Sequence, residues 1–331
     1  MLWLWLLGLA LASCGDSVAQ RPPSESVQGV TISTHRSGQD WGTDNIVPTM
    51  EQIRDVGAEW VAIHPYAGIR RDGKVRSRID PDNPPEYVTR PIREAHALGL
   101  KIMVKPHIAY WGSGWSWRGE IEFEEKAHWD RFWADYRAWI LTLAEVCSDA
   151  DGFVVGTELD RTLGHEDQWR QLIAEVRERT DAPLTYAANW TDFERVGFWD
   201  ALDVIGIQAY FPLVSEPGPS KAQLERAWSQ RMSKLRTYAD AQRRNVLFTE
   251  IGYNRAHQAP IRPWESKSDG PDAEAIQLLC MAVALEAIEN EAAVCGAFLW
   301  KWFTYPNEYG GNFRVDTPQM KAVVRDVWSG D

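Results

Sequence analysis

The chain has 331 residues, of which 44% are hydrophobic and 25% charged, a composition typical of a globular protein with a sizeable core. Its formal net charge is −12 and no Lys/Arg cluster stands out, which argues against a nucleic-acid partner, because phosphates need a basic surface. The chain also contains 18 Trp residues. Their flat faces suit sugars and bases alike, so a sugar ligand becomes the leading explanation for them.

The first 14 residues are predicted to be a signal peptide with a lipobox-like end. Residues 1–13 are apolar, too short to span a bilayer stably, and end in small residues, although no Lys or Arg precedes the apolar run. The sequence LASC at residues 11–14 resembles the lipobox of bacterial lipoproteins, in which cleavage leaves the cysteine to carry lipid. Residues 15–26, rich in Pro, Ser and Gln, predict a flexible tether.

We therefore expect an exported protein that is lipidated at Cys14 and anchored to a bacterial membrane, in the periplasm or at the cell surface. A plain signal peptide with an incidental cysteine is the alternative. The other cysteines are Cys147, Cys280 and Cys295, an odd number that excludes a disulfide framework. Buried free thiols are expected, with a Cys280–Cys295 disulfide as the alternative.

From residue 27 onward, short apolar runs alternate with helical segments. Most runs are almost continuously apolar, as is typical of strands buried on both faces of a parallel sheet. Eight strands are predicted, at residues 27–34, 59–67, 100–109, 151–159, 183–190, 201–210, 245–253 and 294–303.

Helices are predicted between these strands from amphipathic spacing and from terminal signals such as Pro48 and Gly99. They cover residues 48–57, 86–98, 127–147, 166–179, 220–242, 272–290 and 317–328, with a short one near 192–199. Eight βα units without a break in composition predict an α/β protein with a single (β/α)8 TIM barrel over residues 27–331. A doubly wound sheet is the alternative, but no glycine-rich nucleotide-binding motif follows any strand.

Two glutamates close otherwise apolar strands, Glu158 in VVGTEL and Glu250 in LFTEIGY. A carboxylate at such a position is desolvated and costly unless it is paired or used. Strands four and seven lie across the barrel mouth from each other, where catalytic residues of these barrels are found. Two carboxyl groups flanking one bond are what glycoside hydrolysis requires. Structural ion pairing of each glutamate is the alternative.

Polar and aromatic side chains close the other strands, and we expect several of them to bind substrate. His35, His64 and His107 end strands one to three, and neutral imidazoles there could bind sugar hydroxyls. A metal site is the alternative use, but the HxH pair and the strand-five and strand-six histidines of metal-dependent barrel hydrolases are missing. We predict neither a metal nor another cofactor. The remaining candidates are Asn189, Trp190, Tyr210 and Trp300.

The loop YWGSGWSW at residues 110–117 follows strand three directly. Because sugar rings stack on aromatic faces, Trp111 and Trp115 are predicted to form a platform for a glycan chain beside Glu158. The alternative is that these rings fold back onto the Trp-rich helix 127–147. At strand eight, Trp300 and Trp302 are expected to point the same way, with Lys301 facing away from both.

The motifs GTEL (156–159), FTEIGY (248–253) and FLWKWF (298–303), in this order and at these strand ends, resemble clan A glycoside hydrolases. Within the clan they look most like family 113, known for endo-β-1,4-mannanases. The resemblance implies that Glu158 is the acid/base and Glu250 the nucleophile of a retaining enzyme. It also implies a tyrosine, here Tyr210, that donates to the nucleophile and an aromatic floor, here Trp300, under the cleaved sugar.

One position departs from the clan pattern. The clan commonly has Asn immediately before the acid/base, where it binds the sugar 2-hydroxyl, whereas this chain has Thr157. Asn189 at the end of strand five is the candidate replacement. Because the 2-hydroxyl distinguishes mannose from glucose, the substitution bears on substrate choice.

The leading hypothesis is a monomeric, retaining endo-β-1,4-mannanase that acts on a polysaccharide or oligosaccharide outside the cytoplasm. A second hypothesis keeps both glutamates but assigns another β-glycan, such as glucan or peptidoglycan, or exo-action on terminal sugars. A third is a glycan-binding lipoprotein on a barrel scaffold, against which the presence of both Glu158 and Glu250 argues.

Overall fold

The computed structural model describes residues 25–267, 269–305 and 313–329. The predicted signal peptide with Cys14, and the tether up to residue 24, lie outside these residues. Within them the chain forms eleven strands: β1 (Val27–Ser33), β2 (Trp60–Ile63), β3 (Tyr66–Ile69), β4 (Val75–Arg76), β5 (Lys101–Val104), β6 (His107–Ala109), β7 (Gly152–Thr157), β8 (Leu184–Asn189), β9 (Ile205–Gln208), β10 (Val246–Ile251) and β11 (Val294–Phe303).

Eight of these strands close into a barrel in the order β1-β11-β10-β9-β8-β7-β5-β2. All the neighbouring pairs are parallel. Helices connect them: α1 (Ile46–Arg54), α2 (Glu86–Ala97), α3 (Lys126–Val146), α4 (Glu166–Arg177), α5 (Lys221–Gln242), α6 (Ala273–Glu289) and α7 (Pro318–Trp328). Single-turn 3₁₀ helices at Phe193–Arg195 and Trp199–Ala201 join β8 to β9. The predicted single (β/α)8 TIM barrel is confirmed.

The barrel interior is filled by one apolar side chain from each of seven strands. This cluster comprises Val27, Ala62, Met103, Val154, Ala187, Leu247 and Phe298. Gly29 gives the Phe298 ring its space, because a Cβ at residue 29 would lie 2.5 Å from that ring. The larger core lies between the strands and the helices. Tight packing on both sides fixes the strand ends, on which the pocket described below is built.

Two predicted strands are each interrupted by a proline. Pro65 separates β2 from β3, and Pro106 separates β5 from β6, because a proline has no N–H to donate to a neighbouring strand. Beyond the prolines the chain forms a small sheet in the order β4-β3-β6. It stays in register with the barrel through two hydrogen bonds, Lys105 N–H to Ile63 O at 2.9 Å and His107 N–H to Pro65 O at 2.9 Å.

Cys147 and Cys280 are buried free thiols, as expected, and Cys295 is half-buried. The alternative, a Cys280–Cys295 disulfide, is not formed. Among the described residues, no helix is long and apolar enough to cross a membrane.

Candidate active site

A pocket of about 670 Å³ lies at the carboxyl ends of the barrel strands. Its walls contain eight of the ten side chains predicted to act on or bind substrate: Glu158, Glu250, His107, Trp111, Asn189, Trp190, Tyr210 and Trp300. They come from five barrel strands or the residues just beyond them, from β6, and from the loop after β6. Strand ends far apart in sequence therefore converge on one site, as the barrel predicts.

Glu250, near the end of β10, accepts hydrogen bonds from two side chains and has a third close to it. Tyr210 donates its phenol to Glu250 Oε2 at 2.8 Å, and the Lys105 ammonium donates to Glu250 Oε1. His107 Nε2 lies 3.6 Å from the same oxygen. The Glu250 side chain is only 5% exposed and Lys105 is fully buried. A buried carboxylate that accepts hydrogen bonds from an ammonium and a phenol is fixed in orientation.

Glu158 directly follows β7, and its surroundings differ from those of Glu250. Its backbone has φ +50°, in the left-handed region that non-glycine residues seldom occupy. The side chain is 17% exposed, and Arg118 Nη1 lies 3.3 Å from its Oε2. Desolvation raises the pKa of Glu158 to about 7, with Arg118 lowering it, Glu250 raising it and Lys105 lowering it. Glu158 can therefore hold a proton near neutral pH and release it to a ligand.

The two glutamates thus share one pocket but have different neighbours. Glu250 accepts hydrogen bonds from Lys105 and Tyr210, whereas Glu158 is desolvated beside Arg118. Strain at Glu158 fits a functional position, since unusual backbone conformations cluster at such sites. The left-handed turn also explains why the strand pattern ends there, because β7 itself ends at Thr157. This arrangement can donate a proton from one side and present a fixed carboxylate from the other.

His107 and His64 form a buried stack with Trp300. The His64 and His107 ring centroids are 4.9 Å apart, and those of His64 and Trp300 are 5.3 Å apart. Desolvation, with nearby cations, lowers the pKa of both imidazoles well below the usual value, so both are neutral. His107 lines the pocket, whereas His64 is fully buried and does not. The prediction that His64 contacts substrate is therefore wrong: the surrounding rings enclose it, and it supports His107 and Trp300 from behind.

The aromatic loop after β6 divides its rings between two tasks. Trp111 is 62% exposed and lines the pocket, as predicted. Trp115 does not line it, and its predicted substrate contact is wrong. Its ring packs edge-on against Phe123 at 5.6 Å, under the Arg71 guanidinium at 4.5 Å. Arg71 also donates to the carbonyl oxygens of Ser113 and Gly114, which holds this half of the loop against the protein.

At the end of β11, successive side chains do not simply alternate between the two faces of the strand. Thr31 pairs with Trp300 and Ile32 with Trp302, so Lys301 has no partner and the strand is bulged there. Trp302 is consequently buried on the helix side, with the Lys321 ammonium 5.4 Å from its ring centroid. Lys301 lines the pocket together with Trp300. The expectations that Trp302 shares the direction of Trp300 and that Lys301 faces away are both wrong.

Asn189 and Thr157 occupy the positions that bear on the sugar 2-hydroxyl. Thr157 donates its hydroxyl to Pro106 O at 3.0 Å and is 2% exposed, so it does not reach the pocket. Asn189 lines the pocket, and its Oδ1 accepts from the backbone N–H of Thr191 at 3.0 Å and from the Thr191 hydroxyl at 2.8 Å. With Oδ1 held in this way, the amide nitrogen faces the other direction and remains a donor.

Two pairs of aromatic rings rise on either side of the pocket. Trp190 stacks on Trp264 with centroids 5.6 Å apart, and Tyr66 packs against Trp111 at 5.2 Å. All four rings line the pocket. Flat aromatic surfaces on two sides suit a ligand longer than one ring.

Sequence reasoning missed Arg118 and Trp264, and assigned Lys301 to the wrong side. Arg118 lies in a 3₁₀ helix, and Trp264 lies in the long segment after β10, so neither closes a strand. The only sequence signal for either residue is its position in a long loop that follows a strand, because such loops carry functional residues in these barrels.

Comparisons with known proteins agree with this geometry. The sequence model of glycoside hydrolase family 113 matches residues 30–310. A family 113 β-mannanase from Alicyclobacillus acidocaldarius, solved in complex with ManMIm, is 26% identical with a TM-score of 0.80, covering 93% of this chain and 98% of its own. A complex of a family 113 β-1,4-mannanase is 21% identical with a TM-score of 0.79, covering 93% and 100%.

A more distant structure has the same fold. The family 5 mannosidase from Rhizomucor miehei, in complex with mannosyl-fructose, is 11% identical with a TM-score of 0.60, covering 93% of each chain. The comparison with curated proteins finds no match. The family match spans most of the chain and includes both pocket glutamates, which makes this protein a glycoside hydrolase. The chain belongs to glycoside hydrolase family 113.

Proposed function

We propose that the protein is a retaining endo-β-1,4-mannanase in which Glu158 is the acid/base and Glu250 the nucleophile. The observation that carries the proposal is the contrast between the two glutamates of one pocket. Glu250 accepts hydrogen bonds from the Lys105 ammonium and the Tyr210 phenol, whereas burial raises the pKa of Glu158 to about 7. One carboxyl group that donates a proton and one that attacks are what double displacement requires.

In the first step, Glu158 transfers its proton to the glycosidic oxygen while Glu250 attacks the anomeric carbon from the opposite face. The C–O bond to the leaving sugar breaks, and a covalent glycosyl-enzyme forms. In the second step, Glu158, now ionised, removes a proton from water, which attacks the anomeric carbon and releases Glu250. Lys105 and Tyr210 stabilise the departing carboxylate through the contacts they already make.

Several contacts support a mannan-type chain as the substrate. The Alicyclobacillus acidocaldarius relative is described as a β-mannanase, and this chain matches almost all of it. Trp300 provides an aromatic floor beside Glu250, and Asn189 presents an amide donor that takes over the 2-hydroxyl contact from Thr157. The ring pairs Trp190–Trp264 and Tyr66–Trp111 extend the stacking surface beyond one sugar, which favours action within a chain.

The function is tested by measuring new reducing ends on purified linear β-1,4-mannan, glucomannan, a soluble β-1,4-glucan and peptidoglycan. The Glu250→Gln variant serves as the control, since it keeps the side-chain volume but cannot attack. We expect wild-type activity on mannan, with oligosaccharides of several lengths as early products. Early release of single mannose units would instead indicate exo action, from the chain end. Activity on the glucan or peptidoglycan alone would refute the mannan assignment, and binding without cleavage would favour a glycan-binding protein.

A further inference from the structure

Lys301 is a cation in the pocket that the proposed two-glutamate mechanism does not use. Its ammonium lies 5.0 Å from the ring centroids of both Trp300 and Phe303. Among the residues that the structure describes, its side chain has neither a hydrogen bond nor an ion pair. Cation–π contact offsets part of the lost hydration. A partly buried ammonium with no acceptor is nevertheless costly, and that cost is recovered when a ligand supplies the missing charge.

The other charges of the pocket are already paired. Lys105 binds Glu250, and Arg118 binds Glu158. With Lys301, three cations lie beside the two glutamates, so the pocket has an excess positive charge although the whole chain has a net charge of −12. Arg118 adds a further hydrogen-bond donor, because its buried Nε has no acceptor among the described residues. Both free donors therefore favour an anion in the pocket.

We propose that Lys301 adapts this site to an acidic β-glycan: a mannan-type chain that carries a carboxylate, of the hexuronic-acid kind, on the sugar over Trp300 or the adjoining sugar. The proposal rests on the proposed function, whose site it shares. A carboxylate is the glycan substituent that satisfies an ammonium both by charge and by hydrogen bonding. Pairing inside a pocket walled by aromatic rings is also screened less than at the surface.

The test compares β-1,4-manno-oligosaccharides with the same oligosaccharides partly oxidised at C6 to carboxylates. The readout is the ratio of kcat/KM for the oxidised chain to kcat/KM for the neutral chain. We expect wild-type enzyme to prefer the oxidised chain, Lys301→Met to lower the ratio about tenfold or more, and Lys301→Arg to restore most of it. Lys234→Met, an exposed position on α5, is the matched control and should leave the ratio unchanged.

Two further readouts identify the contact. Mass spectrometry of the products should find uronic acid enriched at or next to the new reducing end, because the sugar over Trp300 becomes that end. The preference of the wild-type enzyme should also weaken as salt concentration rises. A ratio that stays the same in wild type and Lys301→Met, at low and high salt, would overturn the proposal and leave Lys301 as a donor to neutral hydroxyls.

Failure of the proposed function gives a different pattern. If the wild-type enzyme cleaves neutral mannan without preferring the oxidised chain, only the acidic-glycan proposal fails. If it cleaves neither chain, titration calorimetry of both oligosaccharides with wild type and Lys301→Met still tests whether the site prefers an acidic glycan. Tighter, salt-sensitive binding of the oxidised chain that depends on Lys301 would sustain the proposal, and equal binding of the two chains would overturn it.

Discussion

At the scale of single residues, the two glutamates are of the same type and differ only in their surroundings. Glu250 accepts hydrogen bonds from Lys105 and Tyr210, which fix its orientation. Glu158 is desolvated on a left-handed turn, with a single cation beside it. The barrel places the two groups in one pocket, but neighbours just beyond β5 and β9 and in the loop after β6 give them different surroundings.

The first prediction concerns pH. Because Glu158 must be protonated to act as the acid, activity should be lost as the pH rises through about 7, which forms the alkaline limb of the pH profile. We expect kcat/KM to fall about tenfold per pH unit well above that value. The measurement is the pH profile of kcat/KM on a manno-oligosaccharide. A profile that stays level from pH 6 to 9 would contradict the assignment.

Substitution of Arg118 should shift the alkaline limb of this pH profile. The Arg118 guanidinium lowers the pKa of Glu158, so Arg118→Met should shift the alkaline limb to higher pH. Arg71→Met is a matched control, since Arg71 contacts Trp115 and the loop carbonyl oxygens rather than Glu158. A limb that moves to lower pH, or moves equally in both variants, would show that Glu158 does not control it.

Tyr210 gives the second prediction. Tyr210→Phe removes the hydrogen bond to Glu250 Oε2, and a hydrogen bond to a charged group contributes about 1.5–3 kcal/mol. We expect kcat/KM to fall roughly tenfold to a hundredfold. Tyr136→Phe is the control, because it removes a buried phenol bonded to Val155 O at 2.8 Å, away from the pocket. Equal losses of activity in both variants would indicate a structural effect only.

At the scale of elements, the loop after β6 combines a ligand-facing half with an anchored half. Trp111 stands beside Tyr66 at the pocket wall, whereas Trp115 is fixed between Phe123 and Arg71. The same residue type therefore lines the pocket at one position and packs against the protein four residues later.

This division gives the third prediction. Trp111→Ala should raise KM on long mannan chains roughly threefold to tenfold, by loss of stacking, and leave the melting temperature unchanged. Trp115→Ala should instead lower the melting temperature by a few degrees, through lost packing. Both variants are measured on a long chain and on a short aryl mannoside. A higher KM for Trp115→Ala together with a normal KM for Trp111→Ala would reverse our assignment.

The strands and helices were largely predictable because each apolar run and each amphipathic segment carries its own periodicity. Strand β7 and helix α3, for example, were located within one or two residues. Side-chain direction at strand ends was less predictable. A bulge at Lys301 reversed the alternation on β11, and neighbouring rings buried His64. These effects arise from contacts between distant segments, which periodicity along one strand does not contain.

At the scale of the whole molecule, the barrel accounts for most of the chain, and residues 1–24 lie outside the described structure. We propose that the mature protein is tethered by lipid at Cys14. In a bacterial host, the full chain should then fractionate with membranes and incorporate labelled palmitate. Cys14→Ser should abolish labelling while the barrel keeps its activity. Equal labelling of both chains, or wild-type protein free of membranes, would favour a plain signal peptide.

The central claim is the division of roles between Glu158 and Glu250, and the configuration of azide products tests it most directly. The substrate is an activated aryl β-mannoside, or a longer aryl β-manno-oligosaccharide if the pocket requires it, given to each alanine variant with azide. Glu158→Ala should still form the glycosyl-enzyme and yield the β-glycosyl azide. Glu250→Ala cannot, so azide attacks from the opposite face and yields the α-glycosyl azide. The opposite configurations would reverse the roles, and wild-type activity in either variant would contradict the two-glutamate mechanism.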